Sequence, residues 1–62
     1  MSYRVYEVLV NIAQNRKSEK VIGIHIYQSE HRARLFTLQQ NFKLLANMKK
    51  ESYFYMDGPH PG

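Results

Sequence analysis

The chain has 62 residues, nine Lys/Arg against five Asp/Glu, a formal charge of +4 and 44% hydrophobic residues. That is enough chain for one domain and too apolar for disorder at so modest a charge. The absence of cysteine excludes a disulfide framework, a cysteine zinc site, an iron–sulfur cluster and a thiol nucleophile.

Residues 3–12 are rich in valine and tyrosine and read as a strand. Its even positions, Tyr6, Val8, Val10 and Ile12, form a continuous apolar face, and its odd positions, Tyr3, Val5, Glu7, Leu9 and Asn11, a mixed one. The polar stretch 13–20 reads as a hairpin connection. Residues 21–27 read as a second strand, with Ile22, Ile24 and Ile26 on one face and Val21, Gly23, His25 and Tyr27 on the other. The two aliphatic faces should lie on the same side of an antiparallel pair.

The period then changes. Ser29 suits a helix N-cap and Glu30 the first turn, and no Gly or Pro interrupts the chain from there to about Glu51. Leu35, Leu38, Phe42 and Leu45 recur at helical spacing, and this stripe is expected on the isoleucine face of the hairpin. Lys49 and Lys50 are expected in the last turn, where cations are favoured. Residues 52–57 read as a third strand, stopped by Gly58, Pro59 and Pro61, with 58–62 as a mobile tail. The expected fold is α+β, a single small domain over 1–57. Its β-β-α-β chain order forms a three-stranded, mainly antiparallel sheet in spatial order 2-1-3, packed on one long helix.

A domain this short retains a net stability of only about 3–5 kcal/mol. Oligomerisation or a permanent partner is then the common remedy. Two surfaces are left for that purpose. Ala33, Phe36 and Leu44 lie away from the main helical stripe. The sheet face expected to point away from the helix carries Tyr3, Val5, Leu9, Val21, His25 and Tyr27, joined by Tyr53 and Tyr55 or by Phe54 and Met56 according to register. Such a face is normally polar. Val5, Leu9, Val21, Tyr27, Ala33, Phe36 and Leu44 are therefore the expected surface for a protein partner or a homodimer.

Nucleic acid is the alternative partner. Tyr3, Tyr27, Tyr53 and Tyr55 could stack on bases while Arg4, Arg16, Lys17 and Lys20 neutralise phosphates. The positive charge is spread along the chain, however, rather than gathered into a stripe. Arg32 and Arg34 near the helix start, with Lys43, do not share one tight face for a DNA groove. His25, His31 and His60 match no metal-ligand spacing, even with Asp57 close to His60.

Ser18, Ser29 and Ser52 lie in no nucleophile motif, there is no glycine-rich phosphate loop, and the carboxylates are scattered. The expectation is thus a non-enzymatic module with no cofactor, metal or small-molecule substrate. Aliphatic runs such as Val8-Leu9-Val10 fall far short of the roughly 20 apolar residues of a membrane span, and the amino terminus has no secretory signal pattern. A cytosolic protein is expected. In size and composition the chain resembles small accessory proteins of bacteria and their viruses, although no motif carries that likeness.

Overall fold

The computed structural model describes residues 1–48 and 51–61. The elements run β1 (Ser2–Ala13), β2 (Arg16–Tyr27), α1 (Glu30–Ala46) and β3 (Ser52–His60). β1 is the central strand, antiparallel to both neighbours, in the order β2-β1-β3. This is the small α+β domain that the chain order predicts, with the helix packed on the sheet. Its strand ends and the face that the helix covers differ from expectation.

The stretch expected as a loop is strand. Gln14 and Asn15 both take positive φ, 52° and 63°, the backbone of a two-residue type I′ turn whose twist suits a hairpin. Ala13 therefore pairs with Arg16, Ile12 with Lys17 and Asn11 with Ser18. β3 reaches back only as far as Leu9, opposite Ser52, with the Val10 N–H bonded to the Glu51 carbonyl. The far end of the hairpin is therefore a two-stranded ribbon, exposed on both faces from Asn11 to Lys20.

Strand β3 also runs further than expected. Ser2 pairs with His60, so 58–60 extend the strand rather than begin a tail. The register slips between Ser2 and Arg4, where Gly58 takes φ 142°. A Cβ at Gly58 would lie 2.9 Å from the Tyr3 ring and 3.1 Å from the Ser2 carbonyl. Glycine is required there by both backbone angle and space.

α1 begins as predicted. Ser29 is the N-cap, its Oγ accepting from the Arg32 N–H at 3.4 Å, and Glu30 pairs with Arg34 at 2.7 Å. The helix stops at Ala46, short of Glu51. Met48 turns to φ 55°, and the Asn47 and Met48 N–H groups bond back to the Lys43 and Leu45 carbonyls. Lys43 is the cation of the last turn; Lys49 and Lys50, expected there, lie outside the described residues, as does Gly62.

The helix lies on the face opposite to the expected one. Val5 and Ala33 are fully buried and Phe54 is nearly so, and Tyr3, Tyr27, Phe36, Leu44 and Met56 pack around them, each partly buried. Phe36 is the hub. Its ring lies 4.7 Å from His25, 5.6 Å from Tyr27 and 5.9 Å edge-on from Phe54. Asn41 bonds to both polar groups of the Phe54 backbone, its Oδ1 accepting from the N–H at 2.8 Å and its Nδ2 donating to the carbonyl at 2.9 Å. The stripe Leu35, Leu38, Phe42, Leu45 and the row Ile22, Ile24, Ile26 are correspondingly exposed.

Truncation of the hub, Phe36→Ala, should cost about 3–5 kcal/mol, comparable to the whole stability expected of so small a domain, and urea titration followed by circular dichroism should show a largely unfolded chain. Phe42→Ala, on the outer stripe, should leave the midpoint of the dilute protein nearly unchanged. Gly58→Ala should destabilise by about 1–3 kcal/mol through strain and the clash with Tyr3.

Candidate functional site

Two apolar surfaces remain uncovered, one on each side of the molecule. The first is the open face of the sheet. From β1 it receives Arg4, Tyr6, Val8 and Val10, because successive side chains of a strand alternate between faces. Opposite them stand Ile26, Ile24, Val21 and Glu19 of β2, and Asp57, Tyr55 and Tyr53 of β3. The pairing slips between Glu7 and Val8, so that Gly23 faces Glu7 while Val21 faces Val8. Ile22 is the extra residue. This bulge moves Val21 off the face of Gly23, His25 and Tyr27, where alternation had put it, and onto the open face.

Tyrosines cover part of this face. Tyr6 and Tyr55 stack with ring centroids 4.9 Å apart, and Tyr53 leans on Tyr55 at 6.2 Å. Tyr53 reaches across β1 to donate its hydroxyl to Glu19 Oε2 of β2 at 3.1 Å. Beneath this bridge Val8 is buried. Val8, Glu19, Val21, Tyr53 and Tyr55 line a shallow depression of about 360 Å³. Shielding from water, then the hydrogen bond to the Glu19 carboxylate and its negative charge, raise the Tyr53 phenol above its ordinary pKa of 10.0. Beside the depression, Ile24 and Ile26 are 56% and 65% exposed, well beyond partial cover.

The second surface is the outer side of α1. Leu35, Leu38, Phe42 and Leu45 form one row there, with Phe42 at 71% and Leu45 at 75% exposure.

The residues expected to meet a partner fall out differently. Val5 and Ala33 are fully buried, and Tyr27, Phe36 and Leu44 pack half-buried against them under the helix, so these five belong to the helix–sheet packing rather than to an open patch. Val21 lies exposed on the open face and Leu9 exposed at the foot of the ribbon. The physical reason is the exchange of faces: the surface reserved for a partner is the one the helix took. The residues that now qualify, the isoleucine row and the leucine–phenylalanine stripe, were legible as apolar periodicities but were assigned to each other.

The residues expected to bind nucleic acid are divided by the same exchange. Tyr3 and Tyr27 join the core, while Tyr53 and Tyr55 remain on the open face. Arg4 shares that face with Asp57, its cross-strand partner. Arg16, Lys17 and Lys20 lie in the ribbon, with Lys17 paired to Glu19 at 3.5 Å. Of the histidines, His25 lies against Phe36, and His60 meets Asp57 at 3.2 Å. Among the described residues no three His, Asp or Glu side chains gather as a metal site, and no helix is long and apolar enough to cross a membrane.

The chain matches no protein-family model, and neither a curated protein nor a solved structure shows significant similarity to it. What the fold can do must be read from its own surfaces.

Ultraviolet titration should show a tyrosine ionising above the ordinary range, a signal lost in Tyr53→Phe and returned toward 10 in Glu19→Gln. A raised folded-state pKa means that the bridge contributes fully below the unfolded value and is lost as pH rises through the folded one. Tyr53→Phe should therefore lower stability at neutral pH, where the bridge is intact, and its difference from the wild type should shrink as pH rises along the alkaline limb, as pH-dependent urea titrations would show.

Proposed function

We propose that this chain is a small, basic, non-enzymatic binding module of the cytosol, adaptor-like or inhibitor-like, which docks on a protein partner and self-associates. The observation that carries this reading is the pair of apolar rows left on opposite outer faces of a two-layer fold. Scattered surface hydrophobics need no explanation, but contiguous rows of large aliphatic and aromatic side chains mark interaction surfaces. Ile22, Ile24 and Ile26 alongside the tyrosine-lined depression form one such row. The tyrosines suit a protein interface, where aromatic rings with a polar tip are enriched. The net charge of +4 favours an acidic partner surface by steering its approach.

The ribbon supports a second reading. A two-stranded ribbon carrying Arg16, Lys17 and Lys20 beyond the body of the sheet has a shape that fits a nucleic-acid groove. Glu19 lies among these cations and is engaged by Lys17 and Tyr53, which lowers their joint pull on phosphates.

An NMR titration of labelled protein with random single-stranded RNA and with duplex DNA, at low and near-physiological salt, separates the two. Under the protein-binding reading any shifts at Arg16, Lys17 and Lys20 vanish with salt, as nonspecific charge contacts do. Saturable shifts there that persist at the higher salt, extending to Tyr53 and Tyr55, would replace it with the nucleic-acid reading.

A further inference from the structure

We propose that the outer stripe of α1 is the self-association surface, and that its occupant is the same stripe of a second copy, packed antiparallel about a two-fold axis. This inference rests on the self-associating reading above and names its interface. Leu35, Leu38, Phe42 and Leu45 follow one another at intervals of three, four and three residues. That is the seam spacing by which one helix packs against another of the same period. The chain has one described helix, and its inner side is already filled by Ala33, Phe36 and Leu44 against the sheet. The seam is therefore free for a helix of another copy, and an isologous contact needs only a surface complementary to itself.

The charges agree with this choice. Lys43 is the sole charged residue between Leu35 and Ala46, and at about 100° per residue it turns well off the seam. Near the start of the helix Arg34 is paired with Glu30 at 2.7 Å, and Arg32 turns about as far off the seam as Lys43 does. A parallel pair would bring two like helix ends together. An antiparallel pair sets the amide end of each helix, with its partial positive charge, beside the partner's carbonyl end, which carries partial negative charge.

The size of the seam sets the strength. Its four side chains expose on the order of 500 Å² per copy, less than the ~800 Å² per partner of a standard interface. A micromolar dimer is expected, dissociating on dilution. The sheet face, on the other side of the molecule, stays free in the dimer for the partner of the first proposal.

Sedimentation equilibrium of the full chain from about 1 µM to 1 mM tests the assignment, with Phe42→Glu and Leu38→Glu on the seam and Ile24→Glu on the sheet. All three sites are exposed; far-ultraviolet circular dichroism confirms that each variant is folded. The expected result is a reversible monomer–dimer equilibrium that either seam variant weakens at least about tenfold and Ile24→Glu leaves within about twofold. A dimer broken by Ile24→Glu and not by the seam variants would overturn the seam while leaving self-association standing. A wild-type chain monomeric throughout would overturn both. A spin label at Arg34→Cys, mixed with isotope-labelled wild type, should broaden signals near Ala46 of the other copy; broadening near Arg34 itself would overturn the antiparallel orientation.

Discussion

The side-chain amide of Asn41 does what a further strand would otherwise do for β3. By accepting from the Phe54 N–H and donating to its carbonyl, it satisfies the outward backbone groups at the middle of an edge strand and ties the helix to them. Buried backbone polar groups without partners are costly, so this pair of bonds specifies where α1 sits in a way that apolar contact alone does not. Phe36 then falls edge-on to Phe54, and Ala33, with almost no side chain, lets the helix approach Val5. The core is assembled around that seating.

The same seating determines what remains outside. The Cα frame is 41 Å long and only 12 Å thick, since one helix backs part of a sheet whose first hairpin continues past it. Val5, Val8, Ala33 and Phe54 are the buried hydrophobic residues among those described. A core so thin leaves the isoleucines of β2 and the outer leucines of α1 in solvent, and these rows lie back to back across the molecule. Two outward faces of this kind suit a module that meets one protein on its sheet and a copy of itself on its helix. The tyrosine bridge from Tyr53 to Glu19 bounds the sheet face and holds its aromatic rings in place.

Handedness explains why the better-looking match between periodicities was not used. β3 is parallel to β2 with β1 between them, and the connection through α1 has to cross β1. Phe54 points its side chain to the helix and its N–H and C=O to the outer edge, and for an L-residue that orientation gives the crossover the common right-handed sense. The isoleucine face would require the opposite hand. Chain chirality thus outweighed the more continuous aliphatic patterning, and the aromatic face of Tyr3, Val5, Tyr27, Phe54 and Met56 became the core.

Element types, their order, the N-cap at Ser29 and the central place of β1 were determined by the sequence itself, because they follow from local spacing and propensity. Local signals also showed that two apolar stripes exist on the helix and two faces on the sheet. Which stripe meets which face lies beyond local reach, since it depends on crossover hand and on Asn41 finding Phe54 thirteen residues away. The type I′ turn at Gln14-Asn15 lacked the usual glycine, so the ribbon read as loop. The bulge at Ile22 has its one local mark in the neighbouring Gly23, which reads equally as an ordinary strand glycine, so alternation alone puts Val21 on the wrong face. The surfaces that would carry function therefore emerged only when the tertiary fold decided which apolar rows to bury.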